Sequence, residues 1–219
     1  DTVIVDIIPV GEDATGIPEL KEWNFNRFEK YKNELDTENG YIFQNYDPVL
    51  EYGYGYLGNP KALRVALNDN INNAGSEPAT KTHSPIIGFA YDGNPIYGPF
   101  GYLDPLDATS AIRRQSSSYA IKGSRSNGPA ISKYPLGTFV DDYEYTHKSG
   151  SLDENNGRFC VTPEFPQGTY AYFITIDSDQ VPKFPYLLGA NFYSLPVDSN
   201  YNSNITQLDL PKNAKRLFT

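Results

Sequence analysis

The sequence has very little sulfur and histidine, which limits the kinds of site that it can build. Its 219 residues include one cysteine, two histidines and no methionine. A single cysteine, Cys160, excludes an internal disulfide, so this is not a disulfide-stapled secreted scaffold. Cys160 lies in an apolar segment, where we expect a buried and unreactive thiol. His83 and His147 are far apart in the sequence and, without cysteine ligands, do not indicate a zinc site.

Positive charge and long apolar runs are also scarce. The chain has 18 Lys and Arg against 27 Asp and Glu, which gives a net charge of −9. Binding to a phosphate backbone requires clustered Lys and Arg, so we expect no nucleic-acid partner. No apolar run approaches the roughly 20 residues that cross a bilayer and no signal peptide is visible, so we expect no membrane partner. Because the chain lacks methionine and begins with Asp1, we expect it to be a processed or excised piece of a larger protein.

Aromatic and turn-forming residues are abundant instead. The chain has 18 tyrosines, 12 phenylalanines, 18 glycines and 17 prolines. Many short strands joined by tight turns produce this balance. We therefore predict a mainly β, sandwich-like domain with short helices and long loops rich in glycine and proline. We divide the chain into an N-terminal strand and connecting segment (1–50), a central domain (51–198) and a linker-like tail (199–219).

The most constrained stretch is residues 84–102, SPIIGFAYDGNPIYGPFGY. Two short apolar segments flank the turn-forming run DGNP, which predicts a hairpin. Residues 168–176, GTYAYFITI, predict a strand with Tyr170 and Tyr172 on one face. Further strands are predicted at residues 2–10, 41–43, 50–57, 136–145 and 157–161, and the spacing of Phe28, Tyr31 and Leu35 permits a short helix.

Residues 103–135 form the longest region without periodicity, and we predict a long loop there. This region carries a local basic cluster within an acidic protein. We favour a solvated loop, and the alternative is a loop that contacts an anion. The basic residues are Arg113, Arg114, Lys122 and Arg125.

Carboxylates and amides gathered at turns are the best candidates for a site. Asp92 and Asn94 lie in the central turn, and Asp153 and Asn155 lie in a second turn, DENNG. Grouped hard oxygen ligands suit calcium, but the second turn lacks the rest of an EF-hand loop. Asp and Asn side chains in turns also commonly bond to their own backbone. We therefore predict no resident cofactor, with calcium as the alternative.

The same residues fit two kinds of carbohydrate chemistry. A carboxylate pair such as Asp92 and Asp153 is what a polysaccharide hydrolase uses, although the sequence gives no distance between them. Alternatively, tyrosine faces stack on pyranose rings while Asp, Asn and Arg hydrogen-bond to hydroxyls, and such binding needs no catalytic group.

Three segments resemble the YHYH domain family: HSPIIGFAYDGNPIYGPFGY at 83–102, LDENNGRFCVTPEFPQGTYAYF at 152–173 and FPYLLG at 184–189. Their order and spacing fit as well, so the resemblance covers roughly residues 52–196. The family takes its name from a Tyr-His-Tyr-His run, which here reads YAYF at residues 170–173, with both histidines missing. On a strand the two lost positions share one face. If they serve as metal ligands or acid–base groups in other members, that role is absent here, which lowers an enzymatic interpretation.

The segment GFAYDGNPIYGP is most similar to members in virion structural proteins of marine cyanobacterial phages. The resemblance thus implies that the chain is part of a virion, which is an extracellular particle. We expect other virion protein chains as its partners, and we expect the chain to form a homo-oligomer. As function we predict a non-enzymatic structural or adhesion module, on a tail or fibre, that contacts host surface glycan. The alternatives are a polysaccharide hydrolase and a calcium-stabilised assembly domain. The predicted ligand-binding residues are Tyr91, Asp92, Asn94, Tyr97, Asp153, Asn155, Arg158, Tyr170 and Tyr172.

Overall fold

A computed structural model describes residues 11–13, 17, 20, 22–44 and 52–195. This part of the chain is mainly β, with two short helices and several small sheets, which confirms the fold class. No helix in it has the length and apolar character to cross a membrane. The elements are β1 (Gly11–Asp13), β2 (Asn24–Asn26), α1 (Arg27–Tyr31), β3 (Gly40–Gln44), β4 (Tyr52–Tyr56), α2 (Lys61–Ala66), β5 (Ile86–Phe89), β6 (Pro95–Tyr97), β7 (Phe100–Tyr102), β8 (Ile112–Arg114), β9 (Tyr119–Ile121), β10 (Tyr143–Tyr145), β11 (Gly157–Cys160) and β12 (Thr169–Phe173).

The central sheet has four strands in the order β11-β12-β6-β5. It consists of two antiparallel hairpins, β5–β6 and β11–β12. A parallel pairing of β12 with β6 joins them and places Tyr172 opposite Ile96 and Phe173 opposite Tyr97. The two stretches singled out from the sequence are therefore adjacent in space, and the predicted hairpin and strand are both confirmed.

The turn between β5 and β6 is closed by backbone hydrogen bonds. The Ala90 N–H donates to the Asn94 carbonyl and the Gly93 N–H donates to the Ala90 carbonyl, both at 2.9 Å. Gly93 has φ +82°, in the left-handed region where a side chain is strained. The DGNP run therefore sets the shape of this turn.

Apolar side chains cover both faces of the central sheet. Tyr170 and Tyr172 point into a cluster with Ile87, Ile96 and Leu187. On the opposite face the alternate residues of β12, at positions 171 and 173, pack in a second cluster that includes Cys160. This confirms the alternation predicted along β12.

The remaining strands pair as two-stranded ribbons, β1 with β2, β3 with β4, β7 with β8, and β9 with β10. The helix permitted near Phe28 is confirmed as α1, and the strands predicted at 41–43, 50–57 and 157–161 are confirmed as β3, β4 and β11. The strand predicted at residues 2–10 and the tail at 199–219 lie outside the described residues.

Two predictions for residues 103–145 were wrong. The long loop contains β8 and β9, which pair with β7 and β10 rather than with each other. Residues 136–145, predicted as one strand, form a 3-10 turn at Val140–Asp142 before β10. The Asp142 carboxylate accepts hydrogen bonds from the N–H groups of Gly137 and Phe139, both at 3.0 Å. Such side-chain bonds to the backbone compete with strand pairing.

Two arginines of the basic cluster form ion pairs within the fold. Arg125 makes two hydrogen bonds to the Asp142 carboxylate, at 2.7 and 2.6 Å, and the two side chains are 3% and 0% exposed. Arg114 pairs with Glu77 at 2.7 Å. These arginines therefore anchor the region to the rest of the fold.

Candidate functional site

Several predicted site residues meet on the face of the central sheet that carries Tyr170 and Tyr172. The Tyr172 hydroxyl donates to Asp92 Oδ2 at 2.7 Å. The Tyr170 hydroxyl lies 2.8 and 2.9 Å from the two carboxylate oxygens of Asp153. The tyrosine rings contact each other edge to face, with centroids 5.1 Å apart. Strand β12 therefore joins two turns that are distant in sequence, and we call these four residues the tyrosine–aspartate face.

Asp92 accepts hydrogen bonds from three further donors. The Asn94 N–H reaches Oδ1 at 3.1 Å, while Asn94 Nδ2 at 2.8 Å and the Ser194 N–H at 3.1 Å reach Oδ2. Burial alone raises the pKa of Asp92, but the hydrogen bonds from Tyr172, Ser194 and Asn94 together lower that pKa below its ordinary value. Asp92 is therefore a carboxylate at neutral pH.

Asp153 holds the second turn in a similar way. Its Oδ1 accepts from the N–H groups of Asn155 at 3.0 Å and Gly157 at 3.1 Å. A Cβ on Gly157 would lie 2.4 Å from the Tyr170 hydroxyl, so only glycine leaves space for the tyrosine here. The Asn155 carbonyl accepts from the Gly189 N–H at 3.0 Å. The DENNG turn is thus fixed to β12 and to the segment after it.

Residues 191–195 cover the tyrosine–aspartate face, and sequence reasoning missed their role. The Tyr193 ring stacks on Tyr170 with centroids 3.7 Å apart and planes 5° apart. The Tyr193 N–H donates to the Tyr172 hydroxyl at 2.7 Å. Tyr170 and Tyr172 are in consequence 4% and 0% exposed. No spacing or motif signals this cover, because it depends on where the chain returns in space.

The two buried tyrosines stay neutral far above neutral pH. Burial raises the pKa of Tyr170, and the charge and hydrogen bond of Asp153 raise it further. Burial also raises the pKa of Tyr172, to which Asp92 adds. Both hydroxyls are therefore permanent donors to carboxylates under ordinary conditions. These hydrogen bonds stabilise the charged carboxylate of Asp92 and fix two turns to β12.

Arg158 lies on the opposite face of the sheet. Register places it across from Ala171, and its Nη2 donates to the Tyr102 carbonyl at 2.7 Å. Its guanidinium lies 5.4 Å from the centroid of the Phe173 ring. Arg158 therefore does not lie beside Asp92 and Asp153, with which it is grouped among the predicted ligand-binding residues, because side chains alternate between faces along a strand.

Tyr97 and Tyr91 lie outside the tyrosine–aspartate face as well. Tyr97 is fully buried on the Arg158 side, with its hydroxyl 2.9 Å from both Thr162 Oγ1 and Glu164 Oε2. Tyr91 sits at the β5–β6 turn and is 59% exposed. Among the predicted site residues, Tyr91 alone has a largely exposed side chain.

The two positions that carry histidine in the family name are filled by apolar packing. Ala171 and Phe173 are both 0% exposed and lie in one cluster with Cys160. The ring of His83 lies 6.1 Å from that of Phe173. Burial raises the pKa of the Cys160 thiol and lowers the pKa of His83. The expected burial of Cys160 is confirmed.

The described residues contain no cluster of side chains that could bind a metal ion. Among those residues, no group of three or more His, Cys, Asp or Glu side chains is placed to hold an ion. The calcium alternative stays a prediction.

Comparison with known proteins identifies the family. Neither a curated protein nor a solved structure matches the chain significantly. The profile of the YHYH protein family matches residues 4–185. The match includes both turns and all of β12. The chain belongs to the YHYH protein family.

Proposed function

We propose that this chain is a non-enzymatic structural and adhesion module of a phage virion, carried on a tail or fibre, that contacts host surface glycan. The similarity of its segments to virion proteins of marine cyanobacterial phages supports the setting. The non-enzymatic part of the proposal rests on the hydrogen bonds that Asp92 and Asp153 make. Both Asp92 and Asp153 are occupied by hydrogen bonds that hold turns against β12.

This arrangement differs from what a hydrolase requires. A glycoside hydrolase needs one carboxyl group that is protonated at the working pH, which means a raised pKa. Asp92 has a lowered pKa and four donors on its two oxygens. Tyr193 also stacks on the ring of Tyr170 and so covers the surface on which a sugar ring would stack. These contacts support a framework role for the tyrosine–aspartate face.

Exposed apolar side chains support contact with other virion chains, including further copies of this one. Phe89, Leu106 and Phe159 are 45%, 65% and 54% exposed. Aromatic side chains such as those of Phe89 and Phe159 are enriched at protein interfaces. We propose that they lie between chains in the particle.

Two assays on the same purified protein test the proposal. Fluorescently labelled protein is incubated with marine cyanobacterial cells and with polysaccharide isolated from their envelopes, and we expect saturable binding to both. Reducing-sugar release from that polysaccharide is measured in parallel, and we expect none above the blank.

The variant Asp92→Asn separates the alternatives once it is shown to be folded. Release of reducing sugar that Asp92→Asn abolishes would overturn the non-enzymatic role in favour of the hydrolase. Absence of saturable binding to cells and polysaccharide would overturn the adhesion role. A melting temperature that falls sharply in EDTA would favour the calcium-stabilised assembly domain.

A further inference from the structure

A cleft of about 460 Å³ lies away from the tyrosine–aspartate face. Its walls come from α1, from residues 115–117, from β9 and β10, and from residues 175–186. This volume is within the range of about 300–1,000 Å³ that small-molecule sites occupy. Four separate parts of the chain therefore build one concave surface.

One wall of the cleft is aromatic. Phe184 and Tyr143 stack with centroids 3.9 Å apart and planes 9° apart. Tyr119 and Tyr186 meet Phe184 edge to face, at 5.3 and 5.7 Å. Packing of each ring against the next fixes its orientation before any ligand arrives. Rigid aromatic surface of this kind contacts the apolar C–H faces of sugar rings.

Hydroxyl groups and one carboxylate lie at the end of this wall. The hydroxyls of Tyr143 and Tyr186 both accept from Asn26 Nδ2, at 3.3 and 2.8 Å. Burial raises the pKa of both tyrosines, and the charge of Glu29 raises it further, so the hydroxyls stay neutral. Glu29 itself lines the cleft. Neutral hydroxyls beside a carboxylate are suitable partners for the hydroxyls of a sugar.

The charges around the cleft favour an uncharged ligand. Asp177 and Lys183 both line it and pair with each other at 2.8 Å. Glu29, the remaining charged residue of the lining, pairs with Lys32 at 2.7 Å. Each charge of the lining therefore already has a partner of opposite sign, which leaves no free charge for an ionic ligand.

We propose that this cleft binds a neutral hexose unit of a polysaccharide. The proposal rests on the glycan contact proposed above and gives it a location other than the central turn. The hexose ring packs against Tyr119 and Tyr143, which are partly exposed and which the buried Phe184 supports from behind. The sugar hydroxyls bond to Glu29 and to the Tyr143 hydroxyl.

The test uses the intact chain and two probes. Methyl glycosides of glucose, galactose and mannose are screened by saturation-transfer NMR, and isolated cyanobacterial envelope polysaccharide is titrated by calorimetry. Val181 lines the rim and is 47% exposed, so Val181→Trp fills the cleft without disturbing the core. Glu29→Gln removes the charge-assisted hydrogen bond, which we expect to weaken binding about tenfold. Glu144→Gln, an exposed glutamate outside the cleft, is the matched control.

The outcomes separate the cleft from the wider proposal. Binding of at least one methyl glycoside and of polysaccharide, abolished by Val181→Trp, weakened by Glu29→Gln and kept by Glu144→Gln, supports the cleft as the site. Polysaccharide binding that the two cleft variants keep overturns the cleft and leaves adhesion in place. Absence of binding to cells and polysaccharide overturns both.

Discussion

Removal of the Tyr172 hydroxyl tests whether the tyrosine–aspartate face stabilises the fold. Tyr172→Phe keeps the buried ring and deletes the 2.7 Å hydrogen bond to Asp92. It also deletes the acceptor of the Tyr193 N–H, at 2.7 Å. A hydrogen bond to a charged group contributes about 1.5–3 kcal/mol and a neutral one about 1 kcal/mol. Because Asp92 is only half-buried, we expect the free energy of unfolding to fall by about 2–3 kcal/mol.

The effect of this substitution depends on pH. The folded-state pKa of Asp92 is lowered, so the stability it contributes is present above the ordinary aspartate pKa of about 3.9. That contribution is lost as the pH falls through the lower folded pKa. We therefore expect the gap between wild type and Tyr172→Phe to be largest at pH 7 and to shrink by pH 2.5.

Urea unfolding followed by circular dichroism at the two pH values measures this gap. A double-mutant cycle with Asp92→Asn isolates the coupling between the two side chains. A loss below about 0.5 kcal/mol for Tyr172→Phe, or strict additivity with Asp92→Asn, would refute the reasoning.

Three further predictions concern other parts of the fold. Arg125→Met leaves the buried Asp142 carboxylate without its ion pair. We expect the free energy of unfolding, measured in urea, to fall by about 3–5 kcal/mol, and a fall below about 1 kcal/mol would contradict this. Gly157→Ala pushes the Tyr170 hydroxyl away from Asp153 and should lower the free energy of unfolding by about 1–3 kcal/mol. Gly75→Ala is the control and should cost less, because its added Cβ meets open space and its cost is only the backbone strain at φ +78°. Because the pKa of Tyr170 is raised on folding, the stability it contributes is present below about pH 10 and is lost as the pH rises further. Urea unfolding above pH 10 should therefore give a free energy of unfolding that falls as the pH rises, and a value that is the same at pH 9 and pH 12 would contradict this.

Local patterns in the sequence predict the parts of the fold that are local. The DGNP run fixes the β5–β6 hairpin because each of its residues favours a turn. The alternation in GTYAYFITI predicts both β12 and the face that its tyrosines share. The positions of Asp92 and Asp153 in turns predict them as site residues, and the structure places both beside β12.

Parts that depend on distant partners escape such patterns. Strands β8 and β9 are three residues long, too short to show a period, and they exist through their pairing with β7 and β10. The side on which Arg158 emerges depends on the register between β11 and β12. The Tyr193 cover and the cleft beside Phe184 form only after several segments have packed together.

The parallel pairing between β6 and β12 has a consequence for how the chain folds. Each hairpin of the central sheet joins strands that are close along the chain, but the paired residues of β6 and β12 are 76 positions apart. Closing a loop of that length costs chain entropy before its contacts are gained, so we expect this pairing to be the slow step of folding. Until it forms, Pro95–Tyr97 is an unpaired apolar edge that a second chain can occupy. Folding at high concentration is therefore open to strand exchange between copies.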